Sequence, residues 1–280
     1  MKTGIIKNIG FAALTLCALS GVSLAEEIKA PSTDATVISD TVKLIDMAGK
    51  QRMLSQRIAK DYLYAGRKIA PAKANKQLKN SLAELVEAHK VLVKSINDPE
   101  IKNLLAFVEM STEDFDATAN EEFTIDNAQL VIDLSESMLE GSQYVVDSLK
   151  ETVKIPESKI VGQAGKQRML AQRIAKYYIA YQAGIKDKNT IDQMKEAVAT
   201  FSESHAALMA NSANTPEINR KLNQIDRLWK IVYKFYLNIE KGGLPLIVFN
   251  TTDSITKKMN TITGLSVSYT HLTLPTICSV

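Results

Sequence analysis

Cysteine is nearly absent from this chain: there are two, Cys17 and Cys278, each close to an end. The body between them has none, so it must hold together by packing rather than by disulfides. Aromatic residues make up only 6%, and the strict apolar–polar alternation of half-buried strands is almost missing. The three histidines have no cysteine partner and no His-x-x-x-His spacing, which makes a poor metal set. An excess of one charge is lacking too. The formal net charge is +3, and Lys2 and Lys7 stand in the leader, so the body is close to neutral. A nucleic-acid binder would carry a basic stripe and a high domain charge. There is no nucleophile elbow, phosphate loop or paired-acid constellation, so the residues point to no enzyme and no cofactor. After the leader no apolar run is long enough to span a bilayer.

The leader, residues 1–25, reads as a secretory signal peptide. Lys2 and Lys7 precede an apolar run from Phe11 to Leu24, and Ser23 and Ala25 put small residues before a cleavage point ahead of Glu26. Cleavage after Ala25 implies a freestanding periplasmic protein. Left uncleaved, the same run is a membrane anchor.

What the chain does have is one stretch written twice. Residues 48–60 read AGKQRMLSQRIAK and residues 164–176 read AGKQRMLAQRIAK, an offset of 116 with only Ser55 against Ala171 differing. A match of that length at a fixed offset marks a duplicated unit. The expected organisation is a lead-in over 26–40, one helical domain over 41–152 and a second over 153–265. Ser39 or Asp40 can cap a first helix whose stripe is Leu44, Met47, Leu54, Ile58 and Tyr62. Gln51 falls inside that stripe, Arg52 lies on its flank beside Ala48, Ser55 and Ala59, and Met53 and Arg57 point away. Asp98-Pro99-Glu100 and Thr215-Pro216-Glu217 are matching helix starts. Thr124 and Thr190 are further candidate caps, and Leu130, Leu134, Met138, Tyr144 and Val145 are expected inward on the fourth helix. Four helices per unit predict an all-α fold of two tandem antiparallel four-helix bundles. Residues 266–280 break this pattern. Residues 267–276 read VSYTHLTLPT, the translation of a common transposase sequencing adapter, and the tail is taken as foreign to the natural protein.

The repeated stretch resembles the motif that opens the N-terminal domain of type IV pilus methyl-accepting chemotaxis transducers, the PilJ-type domain. It is similar, more weakly, to the P-box of NarX- and NarQ-type nitrate/nitrite sensor kinases. The residues that carry the resemblance are Gly49, Arg52, Met53 and Arg57, and again Gly165, Arg168, Met169 and Arg173. The resemblance implies the same helical fold and a sensory role. In the nitrate sensors the matching arginine binds nitrate at a symmetric dimer interface, which carries over to Arg52 and Arg168. Gln51 and Gln167 precede those arginines here, which brings the motif closer to the transducer version.

A guanidinium held at a helix seam needs a counter-charge, because a desolvated unpaired cation is costly. A planar oxyanion suits its fork of donors. Arg52 and Arg168 can form a pseudo-symmetric pair within one chain, pair with their equivalents in a homodimer, or pair with acids inside their own bundles. Gln51 and Gln167 can orient a ligand or set helix register. Gly49 and Gly165 are expected to serve close helix packing. His89 and His205, in register, are expected to be buried and hydrogen-bonded. Lys50, Lys60, Lys166 and Lys176 are expected on solvated faces. The expected function is an exported sensory module that binds a small anion such as nitrate or nitrite and signals through an envelope partner. The alternatives are the sensory part of a transmembrane chemoreceptor or kinase, and an interaction scaffold with no ligand.

Overall fold

A computed structural model describes residues 35–153 and 156–273. Among them there are eight α-helices and no strand. α1 (Ala35–Gly66), α2 (Pro71–Ser95), α3 (Pro99–Ala119) and α4 (Ile125–Thr152) come from the first copy of the repeat. α5 (Pro156–Ala183), α6 (Lys188–Met209), α7 (Pro216–Leu237) and α8 (Pro245–Thr273) come from the second, with a short 3-10 turn at Ile239–Lys241. The signal peptide, most of the lead-in and the last part of the tail lie outside the described residues, as do both cysteines.

The helix ends follow from local chemistry. Asp98 accepts hydrogen bonds from the Glu100 and Ile101 backbone amides, Thr124 from Asn127, and Thr215 from Ile218. Each supplies one partner that the first turn of a helix lacks. At α6 the cap is Asp187 rather than Thr190, whose own amide donates to Asp187 at 2.9 Å. α1 and α5 close with the same turn. Ile69 N donates to the Tyr64 carbonyl and Ile185 N to the Ala180 carbonyl, the pattern of a left-handed helix terminus. Gly184 adopts the required positive φ of 109° in the second copy, while Lys68 adopts 56° in the first. Pro71 opens α2 at a position where no backbone donor is needed. α8 continues through residues 266–273, so the first part of the tail does not break the helical pattern; Ser266 on it is buried.

The all-α class and four helices per copy hold, but the two bundles do not stand apart. α1 and α5 make the most extensive helix–helix contact among the described helices. One apolar core runs from Leu54, Ile58 and Phe115 in the first copy to Ile174, Phe201 and Phe249 in the second. Small residues make this possible: Ala48, Ser55 and Ala59 on α1, and Ala164, Ala171 and Ala175 on α5, are all buried. α1 and α5 are therefore enclosed on nearly every side through their motifs. Met53 is buried rather than pointing away, and Arg57 is half-buried. A one-sided amphipathic reading fails for such a helix because it has neighbours all round. On α4, Met138 and Val145 face the core as expected and Leu134 packs against it, but Leu130 and Tyr144 are exposed. No described helix is long and apolar enough to cross a membrane.

Candidate functional site

The α1–α5 seam brings Arg52 and Arg168 together. Arg52 is 1% exposed and Arg168 3%. A Cβ built on Gly49 would lie 3.2 Å from Arg52 Nη2 and 3.4 Å from Arg168 Nη2; one built on Gly165 would lie 3.3 Å from each. The two guanidinium ends thus converge on the same two glycines. That contact, rather than backbone packing, is why the motif holds glycine inside a helix, where it costs about 1 kcal/mol against alanine. Of the arrangements the sequence allowed, the structure has the pair within one chain.

The two arginines are not equally satisfied. Arg168 Nη1 donates to Asn260 Oδ1 on α8 at 3.1 Å, and its Nη2 donates to Asp46 Oδ1 on α1 at 2.6 Å. Arg52 Nη1 donates to Gln143 Oε1 on α4 at 2.5 Å. Its Nε and Nη2 are buried without a hydrogen-bond partner, as is Arg168 Nε. Burial, and then the adjacent Arg168, lower Arg52 to about 10. Two buried like charges with unmet donors are an unfavourable arrangement for a structure alone and a favourable one for holding an anion. The direct partner of each arginine lines a surface groove. Gln143 lines one of about 610 Å³ with Glu136, Tyr144 and Met169; Asp46 lines one of about 520 Å³ with Met47, Lys50 and Glu84.

Gln51 and Gln167 are fully buried but turn away from the pair. Gln51 Nε2 meets His89 Nδ1 on α2 at 3.3 Å. Gln167 donates to the Phe201 carbonyl at 3.1 Å and to Ser204 on α6. One residue along a helix is a turn of about 100°, so the residue before each arginine faces its own bundle. His205 is buried against the Phe201 ring, and neither of its ring nitrogens has a partner.

Lys50 and Lys166 reach solvent, but Lys60 and Lys176 do not: both are completely buried. Lys60 on α1 reaches Asp253 on α8 at 2.8 Å, and Lys176 on α5 reaches Glu136 on α4 at 2.5 Å. Each motif's last lysine therefore pairs with the fourth helix of the other copy, a pseudo-twofold exchange that fastens the two bundles. Arg173 also grips Glu136, at 2.5 Å. Burial pushes Glu136 up, but Lys176 and Arg173 outweigh it and hold it at about 2. Asp61, fully buried beside Lys60 at 3.1 Å, is pushed the other way, to about 6, by burial against the pull of Lys60. Sequence reasoning missed Glu136, Asp253, Gln143 and Asn260 because the fourth helices share no motif, and it missed Asp46 and Asp61 on α1 because both lie just outside the repeated stretch. One available signal was that both lysines recur unchanged in the two copies. Another was the contrast of Asp46 with Gly162 at equivalent positions.

No curated protein and no solved structure matches the chain. A family model described as type IV pili methyl-accepting chemotaxis transducer N-terminal matches residues 39–122 and, separately, residues 156–241. Each match begins on a motif-bearing helix and takes in the two helices after it. Two matches that together cover more than half of the chain, on two copies of one helical unit, place the protein in the PilJ family of chemotaxis-transducer sensory domains.

Proposed function

We propose that this protein is an exported, periplasmic sensory module that binds a small oxyanion between Arg52 and Arg168. The observation that carries the reading is the convergence of two buried guanidinium groups on Gly49 and Gly165 with Arg52 Nε and Nη2 left without partners. An anion there supplies the missing acceptors and cancels the repulsion across the α1–α5 seam. Because that seam joins the two bundles, the bound state favours a tighter packing of α1 on α5, and a partner that distinguishes the two packings reads the signal. Nitrate and nitrite are the first anions to try, on the motif's resemblance to nitrate sensors.

The test is a thermal-shift titration of the whole chain with nitrate, nitrite and small organic acids, with Arg52→Ala and Arg168→Ala alongside. Ligand at about 100 times its dissociation constant stabilises by roughly 2.7 kcal/mol, a rise of several degrees for a chain of this size. A rise that both substitutions abolish supports the reading. No rise with any anion removes it. A second reading follows from the family's description: the chain is the sensory part of a longer chemotaxis transducer. A longer reading frame in the intact gene, carrying an anchor and a signalling region, would decide for it.

A further inference from the structure

Resting on the anion reading above, we infer that Asp46 sets the charge of the site, so that it accepts one monovalent oxyanion on Arg52 and rejects dianions.

The pseudo-twofold symmetry of the seam breaks at one place. On α1, Asp46 puts a carboxylate oxygen 2.6 Å from Arg168 Nη2, and its side chain keeps 32% exposure toward the groove. The equivalent position on α5 is Gly162, which has no side chain to offer Arg52. A Cβ there would meet the end of Lys150 at 2.7 Å, so this side of the seam is covered by a cation instead. Arg52 reaches an acid only at one remove. It donates to Gln143, Gln143 donates to Asp147 at 2.6 Å, and Asp147 also accepts from Lys150 at 3.0 Å.

The charges around the pair can therefore be counted. Arg52 and Arg168 bring two positive charges. Asp46 cancels one, and Asp147 and Lys150 cancel each other. The remaining charged groups on the Asp46 side are already paired: Lys50 with Glu84 at 3.1 Å, Lys43 with Asp40 at 3.0 Å and Glu87 with Lys90 at 4.0 Å. On the Gln143 side, Glu136 and Glu140 are offset by Arg173 and Lys176. One positive charge is left over, and it sits where the unmet donors are, on Arg52. A nitrate-like anion neutralises it. A sulfate-like anion would leave a net negative charge buried beside Asp46, which is strongly disfavoured in a desolvated seam. Asp46 thus takes on Arg168 the place a second anionic charge would need. Rejection by an unfavourable neighbour is a common route to specificity.

The experiment is isothermal titration of the full chain with sodium nitrate and with sodium sulfate at equal ionic strength, for wild type, Asp46→Asn, Asp46→Ala and Arg52→Ala. The quantity read is the ratio of the two dissociation constants within each protein, so a loss of folded fraction cancels. Wild type should prefer nitrate by at least ten-fold. Both Asp46 variants should move the ratio toward sulfate by at least ten-fold, and Arg52→Ala should bind neither. If wild type binds sulfate as well as nitrate, or the Asp46 variants leave the ratio unmoved while Arg52→Ala abolishes binding, the anion site stands and the role given to Asp46 is wrong. If no variant and no wild-type sample binds either anion, the anion reading falls and this inference with it.

Discussion

Replacing Arg52 with methionine separates two accounts of the arginine pair by the sign of one measurement. If Arg52 were present to hold the fold, removing it would strand buried partners and cost about 3–5 kcal/mol, the usual range for breaking a buried charge pair. The surroundings of Arg52 argue for the opposite sign. Its one side-chain hydrogen bond among the described residues goes to neutral Gln143, two of its nitrogens have no partner, and the charge that acts on it most strongly is another arginine. Burial and Arg168 together take it from 12.5 to about 10. At about 1.36 kcal/mol per unit, keeping it charged costs the folded state about 3 kcal/mol near neutral pH. Methionine is of similar length, uncharged and able to fill an irregular space. The lost bond to Gln143, whose donor is charged, returns about 1.5–3 kcal/mol of that gain. Arg52→Met should therefore be no less stable than wild type and up to about 1.5 kcal/mol more stable. The assay is urea unfolding at pH 7 in buffer free of binding anions, followed by helical circular dichroism, with an unchanged m-value as the check that both proteins unfold alike. A residue kept at the expense of stability is what a binding site predicts. A loss of 3 kcal/mol or more would refute the reasoning and make the arginine structural.

Other outcomes follow from the same geometry. Gly49→Ala and Gly165→Ala each gain about 1 kcal/mol of helix propensity but press a methyl group on both guanidinium ends, so anion-free stability should stay within about 1 kcal/mol while nitrate binding weakens at least ten-fold; unchanged binding in calorimetry would show that the glycines do not shape the site. Glu136→Gln leaves the buried Lys176 and the half-buried Arg173 without a carboxylate and should cost about 3–5 kcal/mol in urea unfolding, whereas a change under 1 kcal/mol would mean the cross-copy pair does not fasten the bundles. Asp61 is held up at about 6 in the folded state, so it takes up a proton there before the unfolded chain does. Its contribution to stability is therefore greatest at low pH and is lost as pH rises through about 6. Asp61→Asn should remove that downward slope between roughly pH 4 and 6, and an unaltered slope would assign it elsewhere. Lys68→Gly relieves a side chain from a left-handed turn and should stabilise by about 0.5–1 kcal/mol in thermal unfolding, while Gly184→Lys should do the reverse.

Much of the protein is local and therefore readable in the chain. The helical class and the helix starts at Asp98, Thr124 and Thr215 depend on residues within a few positions of each other, and the duplication is a literal match of one stretch with another. The repeated glycine and arginine also singled out Arg52 and Arg168, but they left open whether the two meet one another, their equivalents in a second chain, or acids in their own bundles. The sequence could not show that α1 and α5 pack on one another, since both helices must satisfy neighbours on several faces and a single amphipathic stripe then misplaces Met53, Lys60 and Lys176. Nor could it show that the fourth helices exchange partners across the seam, putting Glu136 on Lys176 and Asp253 on Lys60, or that Gln51 and Gln167 face away from the arginines beside them. Those contacts join residues far apart in sequence, and no local pattern records them. Only the tertiary structure decided that Asp46 meets Arg168 while Gly162 offers Arg52 nothing, because the charge of a buried site is the sum over every element packed around it.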